Sequence, residues 1–499
     1  MNSQSIRGRV AAAIGILTAL GLLPMAVGPA AGVGISLTPT VGEAVTQALV
    51  AATGSTATTD NSTDCIGGAA QPVAYRNDRV VLSTSMNATA AGDTVRTALS
   101  EIGVPSNITG VETISLNDIP GALGVVPVVS VSFQSTSGAL VPVKLLARHL
   151  HVANGVTASP DYLLSPSSGP SEFWPNGGPK PAAMPAPRRA PAIGAGKTIF
   201  VYDTGLLSEL ESNIPPNVTK LTAADAEKPA DTRVPFGVVD LGSAGHTTAI
   251  AGVIYTVAPG AEVEAIRITG TDGVATDVTT ARRMAETLRQ ANLTASFPDL
   301  IVNAFGSPAC DGGPGLPGVE LVPLGLAMVA EAVDRNNRAL VVASAGNRSS
   351  NRRFYPAAFP TVISVGGLDA RGNDGNAWTS LSRTGPKAVF SNWGGWVKAW
   401  MPAVGLTTTH VKGLRFEPSG PVINGLAFVD GTSFAAPMAA ALIAERMTTS
   451  GSSAEAAWLA IVASGVTCSS ALGSGVAITL TSLNSSATTQ PVPGAPVEC

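Results

Sequence analysis

Charge is scarce in this 499-residue chain: Asp, Glu, Lys and Arg together make up 13% of it, and the formal net charge is −4. With a pI near 5.7 there is no basic reservoir to neutralise a phosphate backbone, which sets nucleic-acid binding aside. Aromatic residues are also sparse, at 5%, so the chain is poor in stacking surfaces. Only four histidines occur (His149, His151, His246 and His410) and only four cysteines (Cys65, Cys310, Cys468 and Cys499), none of them in Cys-x-x-Cys spacing. A closed structural zinc site needs close ligand pairs, and these are missing. Beyond the N-terminal region, apolar runs such as 319–330 and 435–442 are too short or interrupted to span a bilayer.

Small residues are what the chain has in quantity, with 54 glycines and 37 prolines. Its start carries its own pattern. Arg7 and Arg9 precede an apolar run from Val10 to about Val27, and small residues 28–32 follow. A positive start, an apolar middle and a small-residue exit describe a secretory signal over residues 1–31, with cleavage near Ala30 or Ala31 and a secreted or extracytoplasmic product. The run is long enough for a tilted span, so membrane retention by an uncleaved N-terminal segment is the alternative. Export allows disulfides, and four cysteines permit three pairings.

Residues 32–77 read as a flexible segment rich in Ala, Thr, Ser and Gly. A small α/β domain is expected over 78–164, with strands at 79–83 and 126–133 and helices at 91–102 and 143–151. Residues 165–195 form a Pro-rich linker that cannot propagate a helix or a central strand. Beyond it, predicted strands (198–202, 264–268, 300–303, 339–344, 361–365) alternate with predicted helices (247–255, 279–292, 325–337, 433–447). That alternation argues for a mostly parallel sheet covered on both faces. This larger domain is placed at 196–450, and a C-terminal extension at 451–499.

Three short motifs in this region carry the chemistry. Asp203-Thr204-Gly205 follows a predicted strand, which puts a carboxylate at the sheet edge where open α/β proteins bind ligands. An Asx-turn produces the same pattern. Gly245-His246-Thr247-Thr248 opens a predicted helix, and His246 is the economical choice for a base titrating near neutrality. His149 and His151 lie two residues apart on different helix faces, and His410 sits in a polar stretch read as exposed. The plainer alternative for His246 is a partly buried helix-start histidine. Finally, Asp430-Gly431-Thr432-Ser433-Phe434-Ala435-Ala436-Pro437 starts a long apolar helix, whose first-turn N–H groups favour developing negative charge. A capping serine is the plainer alternative there.

Together, the order Asp, His, Ser and these motifs resemble the subtilisin-like serine proteases (subtilases, peptidase family S8) over roughly 195–450. The resemblance implies an α/β, three-layer fold with a mostly parallel seven-stranded sheet, preceded by a small α/β propeptide-like domain. It implies a serine endopeptidase acting through an acyl-enzyme: Ser433 as nucleophile, His246 as general base and then acid, Asp203 orienting His246. Asn347, in Ala345-Gly346-Asn347, becomes the side-chain donor to the oxyanion. Ala304, Phe305 and Gly306 on one side and Ser344, Ala345 and Gly346 on the other become the walls of the pocket for the residue before the scissile bond. Neither wall contains an acid, so an apolar or modest-sized residue is expected there.

The implied partner is a polypeptide substrate, with the small domain as an intramolecular inhibitory propeptide. No cofactor is required for the chemistry. A structural calcium ion, common in the family, has no located site; residues 369–374 lack EF-hand spacing and include Arg371. The sequence departs from the family twice: Thr247 stands where glycine is usual after the histidine, and the strand before Phe305 lacks the usual serine. These departures keep an alternative in view, a catalytically inactive subtilase-like protein that binds peptides.

Overall fold

The computed structural model describes residues 57–60, 73–164, 179–183, 190–206, 214–220, 222–225, 243–269, 273, 275–313, 316–371, 386–414, 420–468 and 475–477. The expected signal segment and its cleavage site lie outside them. The alternative of membrane retention is corrected: among the described residues no helix is long and apolar enough to cross a membrane. The 19-residue helix Thr432–Ser450 carries Glu445 and Arg446, whereas a span needs about 20 predominantly apolar residues.

The N-terminal unit contains strands β1 (Ala57–Asp60), β2 (Val73–Ser83), β3 (Ser106–Ile114), β4 (Val128–Ser135) and β5 (Thr157–Leu164), with helices α1 (Ala88–Glu101) and α2 (Val143–Asn154). The strands pair antiparallel, with β2 between β4 and β5 and β3 outside β4. Both expected helices and both expected strands are present; β1, β3 and β5 are additional, and β1 and the start of β2 fall within residues 32–77, which the composition had suggested were flexible. Asn87 caps α1 by accepting from Ala90 N, and Gly155 ends α2 in the left-handed conformation.

The larger unit begins with the two-residue edge strand β6 (Lys180–Pro181). It continues with β7 (Thr198–Asp203), β8 (Val218–Lys220), α3 (His246–Val257), β9 (Glu262–Arg267), β10 (Ala275–Thr276), α4 (Asp277–Leu293) and β11 (Leu300–Asn303). The short strands β12 (Ser307–Pro308), β13 (Cys310–Asp311) and β14 (Glu320–Leu321) precede α5 (Leu324–Asn336) and β15 (Leu340–Ser344). Then come β16 (Phe354–Tyr355), β17 (Ile363–Leu368), β18 (Ala399–Pro402), β19 (Leu406–Lys412), β20 (Asn424–Val429), α6 (Thr432–Ser450), α7 (Ala454–Ser464), β21 (Val466–Cys468) and β22 (Gly475–Ala477).

Seven strands in the order β8-β9-β7-β11-β15-β17-β18 are all parallel, as expected, and β22 and β21 extend them to nine. Side-chain alternation sends Ile199 and Val201 to one face, where they meet the small residues of α3 and α6. Phe200 and Tyr202 go to the other, where α4 and α5 cover them. These layers bury both faces, which is why the strands read as continuous apolar runs.

Candidate active site

Chain order reverses beside β7: its next neighbours in sequence lie on the β9 side, and the later strands build outward from β11. The carboxyl ends of β7 and β11 are therefore where an open α/β sheet binds its ligand. Asp203 ends β7, Ala304 follows β11 and Ala345-Gly346-Asn347 follows β15, while α3 and α6 begin with His246 and Thr432-Ser433. His246 Nδ1 lies 2.9 Å from Asp203 Oδ1, and neither residue has exposed surface. The same oxygen accepts from Thr204 N at 2.8 Å and from Thr247 Oγ1 at 3.1 Å. Thr247 Oγ1 in turn accepts from Gly205 N at 3.0 Å. The threonine that departs from the family pattern thus joins the aspartate directly to the turn that follows it. Gly205, at φ 87°, passes so close to Asp225 that a Cβ would lie 2.4 Å from its carbonyl oxygen.

His410 is buried, not exposed as its polar surroundings suggested. Burial pushes its pKa down to about 4, and nearby His246 adds to the shift. It packs against Gly245, where a Cβ would approach its ring to 2.9 Å.

Ser433 is not a helix cap. Gly431 occupies that position, and Ser433 Oγ donates to Ala304 O at 3.3 Å. The Phe434 ring, next in sequence, lies 5.4 Å from the His246 ring, which places the start of α6 beside the histidine. Because α6 starts at Thr432, Pro437 falls beyond the first four donors and has no N–H to offer the Ser433 carbonyl. Asn347 Oδ1 accepts from Thr432 N at 2.9 Å and Thr432 Oγ1 at 2.8 Å. With the carbonyl end so held, the NH₂ end turns toward Gly431, where a Cβ would lie 3.5 Å away. An amide fixed in this way is a donor whose protonation does not change during a reaction.

The two expected pocket walls are buried: Ala304, Phe305 and Gly306, and Ser344, Ala345 and Gly346. Phe305 faces the α4–α5 core rather than an open space. Between the two glycines stands a residue the sequence reading missed. A Cβ on Gly306 would lie 2.5 Å from Phe354 Cε1, and one on Gly346 would lie 3.2 Å from Phe354 Cδ1. Asn392, also missed, donates to Ala345 O at 2.8 Å and accepts from Arg348 N and Ser350 N. Thr432 lay inside the serine motif and was legible there; Phe354 and Asn392 are separated from every motif and carry no spacing signal.

The N-terminal unit reaches the edge of this site. Leu163 and Leu164 of β5 pair antiparallel with Thr276 and Ala275 of β10. Buried Asp161 accepts from Val278 N, at the start of α4, at 3.0 Å and pairs with Arg79 at 3.1 Å. Adjacent Asp277 accepts from Gly325 N and Leu326 N at the start of α5. Burial pushes both carboxyls up, Asp277 to about 7 with Asp161's charge contributing. Tyr162 Oη accepts from Cys310 N at 3.1 Å; Cys310 is disulfide-bonded, and no cysteine among the described residues is free.

Among the described residues, no group of three or more His, Cys, Asp or Glu could hold a metal ion. In the segment considered for calcium, Arg371 engages Asp369 and holds its carboxyl below the usual range.

Comparison with known proteins places this geometry in context. The subtilase family model, peptidase S8, matches residues 194–457. A thermophilic serine proteinase from Bacillus sp. (strain AK1) is 35% identical over 109 residues, 22% of this chain and 21% of that relative. The chain thus spans about a fifth of that relative's length. The solved structure of the prenylagaramide maturation protease PagA has a TM-score of 0.39 and 18% identity, covering 56% of this chain and 86% of its own.

Proposed function

This chain belongs to the subtilase family, and from that premise we propose that it is a serine endopeptidase. In the proposed reaction, Ser433 Oγ attacks the substrate carbonyl while His246 takes its proton, and Asp203 holds the imidazole through Nδ1. The Asn347 amide and the Ser433 N–H receive the oxyanion. His246 then protonates the leaving amine, and water releases the acyl-enzyme. The observation that carries this reading is the buried 2.9 Å His246–Asp203 contact at the sheet edge where α6 presents Ser433. The test is labelling of purified, processed protein with a serine-directed covalent probe, together with cleavage of a peptide library. Both should vanish in Ser433→Ala, and no labelling of the wild type would refute the proposal.

The N-terminal unit is proposed as an inhibitory propeptide and the region from about residue 196 as the catalytic domain. Supporting this, β5 adds to β10 immediately before α4, and the preceding aspartate engages the start of that helix. A maturation cut is expected between 165 and 195. N-terminal mapping of wild type and Ser433→Ala would separate self-cleavage, which the variant loses, from cleavage by another enzyme, which it keeps.

A further inference from the structure

We infer that Phe354 fills the pocket for the residue before the scissile bond and restricts the substrate to glycine, alanine or serine there. This inference rests on the endopeptidase reading and deepens it. Both walls are continuous with the proposed reacting groups: Ser433 Oγ contacts Ala304 O, two residues before Gly306, and Asn347 directly follows Gly346. The space between the walls is therefore the subsite nearest the attacked carbonyl.

That space is occupied. The Phe354 ring is only 1% exposed, and it meets Gly306 and Gly346 so closely that even a methyl group on Gly306 would overlap it. Its backbone is held in place, since Ser307 and Pro308 of β12 pair with Tyr355 and Phe354 of β16. The ring is also among the largest fully buried side chains, so moving it aside would disturb packed neighbours rather than solvent. Gly306 and Gly346 provide space for one aromatic ring, and the chain has already supplied it. A substrate side chain larger than a methyl or hydroxymethyl group competes directly with Phe354.

The full chain, matured and purified, would be profiled with peptides differing only at the residue before the cut, alongside labelling by a small alkyl fluorophosphonate. Hydrophobic pockets discriminate about 10–200-fold per misfit methylene, so wild type should favour Ala over Phe by at least about 100-fold in kcat/KM. Phe354→Ala should shift that ratio toward Phe by at least about 10-fold while labelling persists. Phe354→Leu, a milder truncation should the first variant fold poorly, should shift it in the same direction by less. Efficient wild-type cleavage after Phe, Tyr or Leu overturns the inference, as does an unchanged ratio in a labelled variant. Absence of labelling in wild type refutes the endopeptidase reading itself and takes the pocket inference with it.

Discussion

Asp203 and Asp277 are both fully buried aspartates in the larger unit, yet their surroundings differ in kind. At Asp203 three donors converge on one oxygen, and one of them is the ring nitrogen of His246. At Asp277 the acceptors are satisfied by two helix-start amides, but a second buried carboxyl, Asp161, lies close enough to oppose its charge. The first arrangement fixes an imidazole. The second makes a junction between two units whose charge state follows pH. Burial alone therefore does not define what a carboxylate does; the sign and direction of its neighbours do.

The sharpest way to separate the two sites is to remove the nucleophile. Ser433→Ala should lower peptide turnover by a factor on the order of 10⁶ and leave the Asp161–Asp277 junction intact, as read by the same pH dependence of thermal unfolding in the variant and in uncut wild-type chain. Asp203→Asn should cost about 10⁴-fold in kcat, because an amide can hold the imidazole in the wrong tautomer. Thr247→Val should cost about 10-fold in kcat through the lost donor to Asp203, with Thr247→Ser restoring most of it. A Val variant with full activity would show that this hydroxyl only fills space.

The junction should respond to pH in the opposite sense from an ordinary surface carboxylate pair. Burial, with Asp161's charge adding to it, raises Asp277 from 3.8 to about 7, so folding takes up protons at this junction. Its stabilising contribution is complete below the ordinary carboxylate range and is lost as pH rises toward and through 7. Thermal midpoints of the full-length Ser433→Ala protein should therefore show a contribution that declines from pH 5 to pH 8. Asp277→Asn should flatten that slope, and an identical slope in both proteins would contradict the assignment.

The parts of the fold that could be read from sequence were those buried on both faces. Phe200, Val201 and Val302 announce parallel strands because no position in them needs to be polar. β19 escaped because Thr407-Thr408-Thr409-His410 looks like exposed chain. In the structure, Thr408 donates to Ala249 O at 2.7 Å and Thr409 to Thr248 O at 3.2 Å, so their hydroxyls meet the backbone of α3. Polarity signals exposure only when no partner waits inside. β3 was hidden by exposed positions along its length, and β5 by Pro160 and Asp161. Asp203, His246, Ser433 and Asn347 were legible as motifs, whereas Phe354 acquires meaning only when two distant glycines face it.

The family match stops at residue 457, but the main sheet does not. Val476 and Ala477 pair with Ala399 and Trp400, and the antiparallel strand β21 then covers the new margin. An uncovered strand margin is a template on which another molecule can add its own backbone. The chain after α7 thus carries the sheet two strands past β18 and moves its margin to β21. A protein ending at Gly465 should still build the reaction centre but pair through β18 with copies of itself, which light scattering at increasing concentration would reveal.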